Sequence, residues 1–349
     1  MGVKSLHCRE SPRQPQNQMP STTITFSIPE ATNLGEQALQ RIGFSAEESS
    51  VITATLLDAE LCGYPALGLA RILTIAEHVK FKNPRTPVRI EHETPVSALM
   101  DGGNYPGFYA VNRAARLAIE KAKANRFALV GMHNTWLSGR SAYYIELITR
   151  AGFAGIHFAC SSSLVVPPGG KAPAMGTNPI AFGVPGEPHP LILDMATSAT
   201  NNGDVILAKR LQTLLPEGVA IDKDGNPTRD PVAALAGGIL TFGGEKFGHK
   251  GFGLSLIAQA MGIFAGAPLT NGKPLDFGFL FIVFDPGLLM PLEDCKRYLA
   301  QMIASIKATP KRQGVDEIRI PSERAFEERE RRRVAGITLD ARIHQRLTA

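Results

Sequence analysis

Apolar residues recur at helical spacing over residues 29–79. Ala31, Leu34, Ala38, Leu39 and Ile42 mark one stripe, and residues 46–61 repeat the pattern behind Ser45, a good N-cap. The chain therefore opens with a small helical layer. The period then alternates. Residues 96–101 read as a strand entering a glycine turn, 108–125 as an amphipathic helix rich in Ala, Arg and Lys, and 128–132 as a strand buried on both faces. A helix over 143–151 and a short strand over 156–160 continue the alternation, which predicts an α/β core.

Beyond residue 155 the apolar runs shorten, at 180–185, 191–194 and 218–221, and are broken by Pro, Gly and Asn. Asp224-Gly225-Asn226-Pro227 is a turn, because Gly and Asn tolerate positive φ and Pro follows. The pattern then predicts a helix over 254–266 that starts from the block Gly248-His249-Lys250-Gly251-Phe252-Gly253. A strand over 280–284 follows, with helices over 292–306 and 322–336. There is no internal repeat. The dinucleotide fingerprint G-x-G-x-x-G is also missing, since Asp101-Gly102-Gly103-Asn104 lacks the third glycine.

Composition narrows the class. With 349 residues, 44% of them hydrophobic, the chain can bury one large core or two that share a cleft. The net charge of +5 is scattered except over 327–333, where signs alternate as on a solvated helix, so nucleic acid is not an expected partner. No apolar stretch reaches the roughly 18 residues of a membrane span. The run over 257–267 is interrupted by Gln259, Gly262 and Gly266 and reads as a core helix. Four cysteines without a C-x-x-C pair predict neither a metal site nor a disulfide scaffold, and point to a cytoplasmic setting. Residues 1–22 lack the apolar run of a secretory signal. They read as a disordered tail, or as sequence upstream of a start at Met19.

Three segments carry candidate chemistry. Gly176-Thr177-Asn178-Pro179 combines close backbone approach with hydroxyl and amide groups, though the same residues also build structural turns. His249-Lys250, where a glycine loop becomes a helix, suits a pyrophosphate or carboxylate, or is an ordinary cationic pair. Asp194, at a strand end, can take a ribose hydroxyl or an amide, or cap a helix with Thr197.

In order, GGxxPxxGTNP, LDMATS, PEGxAxDxDGNPTxDP, GHKGFGL, FxxFDP, IRIP and RxxGITLD resemble the malate/L-lactate/L-sulfolactate dehydrogenases. That group includes ureidoglycolate dehydrogenase, 2,3-diketogulonate reductase and the piperideine/pyrroline-2-carboxylate reductases. The resemblance implies an NAD(P)-dependent oxidoreductase, using NAD or NADP, with a non-Rossmann α/β fold. Its central sheet would be mixed and largely antiparallel, beside a helical layer from both termini. It implies a homodimer with active sites between domains and near the partner subunit. Residues 23–95 with 300–349 would form the substrate and dimer layer, and 96–299 the NAD(P)-binding core. The cofactor would meet Ser161, Leu193, Asp194, Met195, Ala196, Thr197, Ser198, Ala199, His249, Lys250, Ser322, Glu323 and Arg324.

The departures bear on the chemistry. Where the family reads GHxSHGxxR this chain has Gly63-Tyr64-Pro65-Ala66-Leu67-Gly68-Leu69-Ala70-Arg71, and where it reads NSNHFG this chain has Asn134-Thr135-Trp136-Leu137-Ser138-Gly139. Both usual acid/base histidines are therefore leucines, Leu67 and Leu137. Arg71 survives as a carboxylate clamp and Arg140 adds a second cation, while Tyr64, His133 and Tyr143 are candidate replacement acids. The implied substrate is a small carboxylate, either a 2-oxo acid or a cyclic 2-imino acid, or the 2-hydroxy acid in reverse. An imine can enter already protonated, which relaxes the need for an acid. The alternative is a catalytically impaired homologue that binds NAD(P) as a dimeric or regulatory protein.

Overall fold

Ser27 and Ser45 each close a capping box. Their hydroxyls accept from the N–H of Glu30 and Glu48, whose carboxylates reach back to the serine N–H groups. These boxes start α1 (Ile28–Arg41) and α2 (Ala46–Leu61) in the computed structural model, which describes residues 22–270, 273–274 and 276–349. The expected tail and Cys8 lie outside the described residues. α1 and α2 pack on α3 (Arg71–Glu77) through a core that includes Leu39, Ile52, Leu56 and Ile75. The two ends of the described chain meet here, because β1 (Thr23–Phe26) pairs antiparallel with the late strand β14 (Ile337–Asp340). Both α10 (Glu323–Ala335) and α11 (Ala341–Thr348) join this layer. The helical layer from both termini is thus present as the resemblance implies.

The central sheet comprises β2 (Arg89–Glu93), β3 (Ser97–Pro106), β4 (Phe127–Trp136), β5 (Ala154–Cys160), β6 (Ile180–Val184), β7 (Leu191–Met195) and β13 (Phe277–Phe284). Their order is β2-β3-β4-β13-β5-β6-β7, and only β3 and β4 run parallel, so the sheet is mixed and largely antiparallel. The glycines at 102 and 103 do not end the strand as expected. β3 continues through them with a register irregularity between Asp101 and Tyr105.

One face of the sheet is covered by α4 (Gly107–Asn125) and α5 (Ser141–Arg150), against Phe279, Phe281 and Val283. The other carries α8 (Gly244–Phe264), where a Cβ on Gly278 would lie 2.5 Å from the Gly262 carbonyl. A smaller lobe holds α6 (Asn202–Leu211), α7 (Pro231–Ala236) and the short strands β8 (Ala220–Ile221), β9 (Pro227–Thr228) and β10 (Gly238–Ile239) around Val205, Leu215 and Ile239. The hairpin of β11 (Leu269–Thr270) and β12 (Lys273–Pro274) and the surface helix α9 (Leu292–Lys307) complete the chain. No helix of the described residues is long and apolar enough to cross a membrane.

Candidate active site

A cleft of about 390 Å³ opens where the helical layer, the sheet and the smaller lobe meet. Its walls come from the loop between α2 and α3, the entry to α5, the end of β7 and the start of α6. The structure brings together Tyr64, Leu67, Arg71, Leu137 and Arg140 with Ser161, Leu193, Asp194, Ala196 and Ser322. Residues expected from separate motifs thus share one site.

Arg71 is only 6% exposed and its guanidinium makes no hydrogen bond among the described residues, with Nε and Nη1 both buried and unpartnered. Burial disfavours its charge and Arg210 repels it, which together outweigh the attraction of Asp204 and bring its pKa down to about 10. It still carries its charge at neutral pH. The loop that presents it is pinned from below by Glu60, which is fully buried and accepts from the Leu69 N–H at 2.9 Å. A Cβ on Gly68 would collide with that carboxylate, so glycine is needed there.

Arg140 is 4% exposed but committed. Its Nη1 meets Asp58 at 2.6 Å, and Asp58 is shared with Arg329 at 2.7 Å, which in turn holds Glu146 with two nitrogens at 2.6 Å. Burial works against the Arg140 charge, but Asp58 and, more weakly, Asp194 hold its pKa above the ordinary value. Its Nη2 is buried without a hydrogen-bond partner among the described residues. Together with Arg329 this guanidinium ties α2, α5 and α10 at the cleft wall, which gives the expected second cation a structural task.

Asp194 caps a helix, though not with Thr197. Its Oδ2 accepts from the Ala142 N–H at 2.8 Å, closing the start of α5 from β7 because Arg140 at the N-cap offers no acceptor. Burial raises its pKa, while the Ala142 N–H and Arg140 oppose the rise. Thr197 donates to the carbonyls of Thr177 and Asn178, and Ser198 to Thr200, so both hydroxyls serve the loop. Buried Asn178 holds the Ser161 N–H with Oδ1 and reaches α8 through Ser255 and Gln259. That gives the Gly176 segment a structural task. Leu193, Met195, Ala196 and Ala199 are at least partly exposed along this stretch.

The Gly248 block differs most from expectation. The helix starts at Gly244, behind Gly243 at φ 97°, so His249 and Lys250 lie within α8 rather than at its mouth. Two of its glycines are packing contacts: a Cβ on Gly248 would come within 2.7 Å of Thr241 Oγ1 and one on Gly251 within 2.3 Å of the Phe242 carbonyl, whereas Gly253 faces open space. Both His249 and Lys250 are exposed and do not line the cleft. Ser322, at φ 66°, donates to the Ile192 carbonyl at 2.9 Å, Glu323 accepts from the Ile320 N–H, and Arg324 stacks 4.9 Å from the Tyr64 ring centre. Tyr64 is flanked on another side by Arg140 at 5.7 Å. His133 turns away to Glu91 at 2.8 Å and Tyr143 lines a separate groove beside Asp58, so of the replacement acids only Tyr64 reaches the cleft. Leu137 holds a left-handed backbone, φ 58°, unusual for a bulky residue at a cleft wall.

Sequence reasoning missed Asn201, Asn202 and Gly203 in the cleft wall, and the Asp58–Arg140–Arg329–Glu146 cluster. Asn201 did carry a signal, an N-cap residue with Asp204 three positions on. The cluster carried none, because its members lie far apart in the chain. Among the described residues no group of His, Cys, Asp or Glu is arranged to hold a metal.

A family model described as malate/L-lactate dehydrogenase matches residues 26–348. The chain is 32% identical to the malate/(S)-sulfolactate dehydrogenase of Methanothermus fervidus over 335 residues, covering 93% of this chain and 96% of that one. It is likewise 32% identical to the Delta(1)-pyrroline-2-carboxylate reductase of Ancylobacter novellus, over 93% and 97% of the two chains. The crystal structure of malate dehydrogenase from Entamoeba histolytica superposes with a TM-score of 0.85 at 25% identity, covering 94% and 97%.

Proposed function

The chain belongs to the malate/L-lactate dehydrogenase family of oxidoreductases, and from that premise we propose that it is an NAD(P)H-dependent reductase of a small carboxylate substrate. The observation that carries this reading is Arg71, a buried guanidinium without a partner among the described residues, in a cleft of suitable size. An uncompensated buried charge is costly, and a carboxylate bound side-on would offset it with two charge-assisted hydrogen bonds.

The cleft also fits a nicotinamide in kind. Leu193 and Phe277 offer apolar surface, and Ser161, Asp194 and Ser322 offer polar groups for a carboxamide or ribose. When bound, the nicotinamide supplies the hydride, and the chain's residues bind, orient and exclude water. His249 and Lys250 stand on α8, which is apolar nearly all round yet exposes Leu254, Leu256, Ile257 and Phe264. Such a helix face calls for a cover, which we read as a second copy of the chain in a homodimer, with His249 and Lys250 as cofactor contacts at that interface. Three unpaired cysteines, Cys62, Cys160 and Cys295, accord with a cytoplasmic setting.

One observation favours imino over oxo acids. With Leu67 and Leu137 on the wall, Tyr64 is the cleft's candidate acid, and a cyclic imine brings its own proton. NADH and NADPH oxidation should therefore be followed with pyruvate, oxaloacetate, piperideine-2-carboxylate and pyrroline-2-carboxylate, each beside its ester. Turnover of the free acids and not of the esters is expected, fastest with the imines. Equal rates for acid and ester would remove the Arg71 clamp. NAD(P)H binding without any turnover would favour the catalytically impaired reading.

A further inference from the structure

The start of α6 brings chemistry to the cleft that the carboxylate clamp does not use. Asn201 caps the helix by accepting the Asp204 N–H at 3.0 Å, which leaves the Asn202 and Gly203 N–H groups as the free donors of the first turn. Gly203 has no side chain for a steric reason, since a Cβ would stand 2.8 Å from the Ala66 carbonyl. The turn is thereby seated against the loop that carries Leu67 and Arg71. Arg71 feels the charges of Asp204 and Arg210 on this same helix. Asn202 lines the cleft with Arg71, and like the Arg71 Nε and Nη1 its Oδ1 is buried without a hydrogen-bond partner among the described residues.

A lone buried acceptor is costly and can be satisfied only by a donor. Resting on the reading of the cleft as a small-carboxylate reductase site, we propose that Asn202 sets its specificity. While Arg71 and the α6 N-terminus hold the substrate carboxylate, Asn202 Oδ1 accepts a hydrogen bond from an N–H on the adjoining ring position. The cleft then selects protonated cyclic imines, and their cyclic amine products, over 2-oxo acids. A keto oxygen has only lone pairs and would face the amide oxygen like to like. A site built to take a substrate N–H discriminates strongly against analogues that lack it.

The test uses the full chain in two readouts. In calorimetry with oxidised cofactor present, piperidine-2-carboxylate should bind Asn202→Leu about tenfold to a hundredfold more weakly than the wild type, the range of one hydrogen bond to a charged donor. Cyclohexanecarboxylate, which keeps the carboxylate and loses the ring nitrogen, should bind both equally. Asn202→Asp keeps the acceptor and should hold the ring amine within about threefold of wild type. In kinetics the ratio of kcat/KM for piperideine-2-carboxylate over pyruvate should fall in Asn202→Leu by the same factor as the binding. If Asn202→Leu melts early, Asn202→Ala makes the same comparison. Equal losses on both carboxylates would assign Asn202 to orienting Arg71 and overturn the proposal alone. A wild type that binds neither probe and reduces neither substrate would overturn the underlying reading, and this proposal with it.

Discussion

Arg71 and Arg140 face one cleft and are buried to nearly the same degree, 6% and 4% exposed, yet their surroundings are opposite. Arg140 sits in a chain of ions, Asp58, Arg329 and Glu146, that joins three helices. The Arg71 guanidinium has no partner among the described residues, and Arg210 opposes its charge more strongly than Asp204 supports it. Burial alone therefore does not separate a structural cation from a ligand-binding one. The difference lies in which partners the protein itself provides: where it provides them, the charge stabilises the fold, and where it withholds them, the stabilisation waits for a ligand.

The largest expected effect breaks the partnered side. Arg329→Ala leaves Asp58 and Glu146 buried without their shared counter-charge, which should cost about 3–5 kcal/mol of unfolding free energy in urea titrations. A loss below about 1 kcal/mol would mean that the cluster is solvated and that Arg140 is as free as Arg71. The unpartnered side should respond in the reverse way. Arg71→Met should leave stability unchanged or slightly raised, since it removes a buried charge with no compensating bond, while kcat/KM for carboxylate substrates falls by about a hundredfold or more. If Arg71→Met instead unfolds the protein without lowering kcat/KM of the folded fraction, the contrast between the two arginines fails.

The contrast also shows what could be read from sequence. The N-cap at Ser45 was legible from the sequence, and the α/β alternation was legible because its period switches near residue 96. Arg71 and the leucines at 67 and 137 were legible through motif order, and all three line the cleft. The ion cluster was not, because positions 58, 140, 146 and 329 share no periodicity and meet only through tertiary packing. The Gly248 block was misplaced for a related reason. Glycine weakens a helix locally, so a glycine-rich stretch reads as a loop until the close approach of Thr241 and Phe242 is seen. Neither could the pairing of β1 with β14 be anticipated from strands of four residues at opposite ends of the chain.

A pH profile sharpens the comparison from the Arg71 side, through the carboxyl that pins its loop. Burial raises Glu60 to about 7 from an ordinary 4.5, against the pull of the Leu69 N–H and Arg332. Between those values the folded protein retains a proton that the unfolded chain has released. Glu60 therefore makes stability fall as pH rises through that window, with the loss complete above about 7. Glu60→Gln has no such proton, so the stability of wild type relative to the variant should decline by on the order of 1 kcal/mol or more between pH ~4.5 and ~7. Parallel profiles for the two proteins would mean that Glu60 ionises normally and that the loop is held by other contacts.

The smallest effect belongs to the outer end of the partnered cluster. Arg150 meets the same Glu146 as Arg329 does, at 2.7 Å, but its side chain is 60% exposed and the pair is one helical turn apart, i to i+4. Water screens such a pair and the long side chain gives up rotamer freedom to form it, so Arg150→Ala should cost no more than about 0.5 kcal/mol. Because Glu146 keeps its two bonds to Arg329 in that variant, no buried charge is orphaned. The double variant Arg150→Ala/Arg329→Ala should then lose more than the sum of the single changes, as Glu146 is left without any cation. A strictly additive double variant in urea unfolding would show that the two arginines act independently. The cluster would then be a set of separate pairs rather than the connected scaffold that distinguishes Arg140 from Arg71.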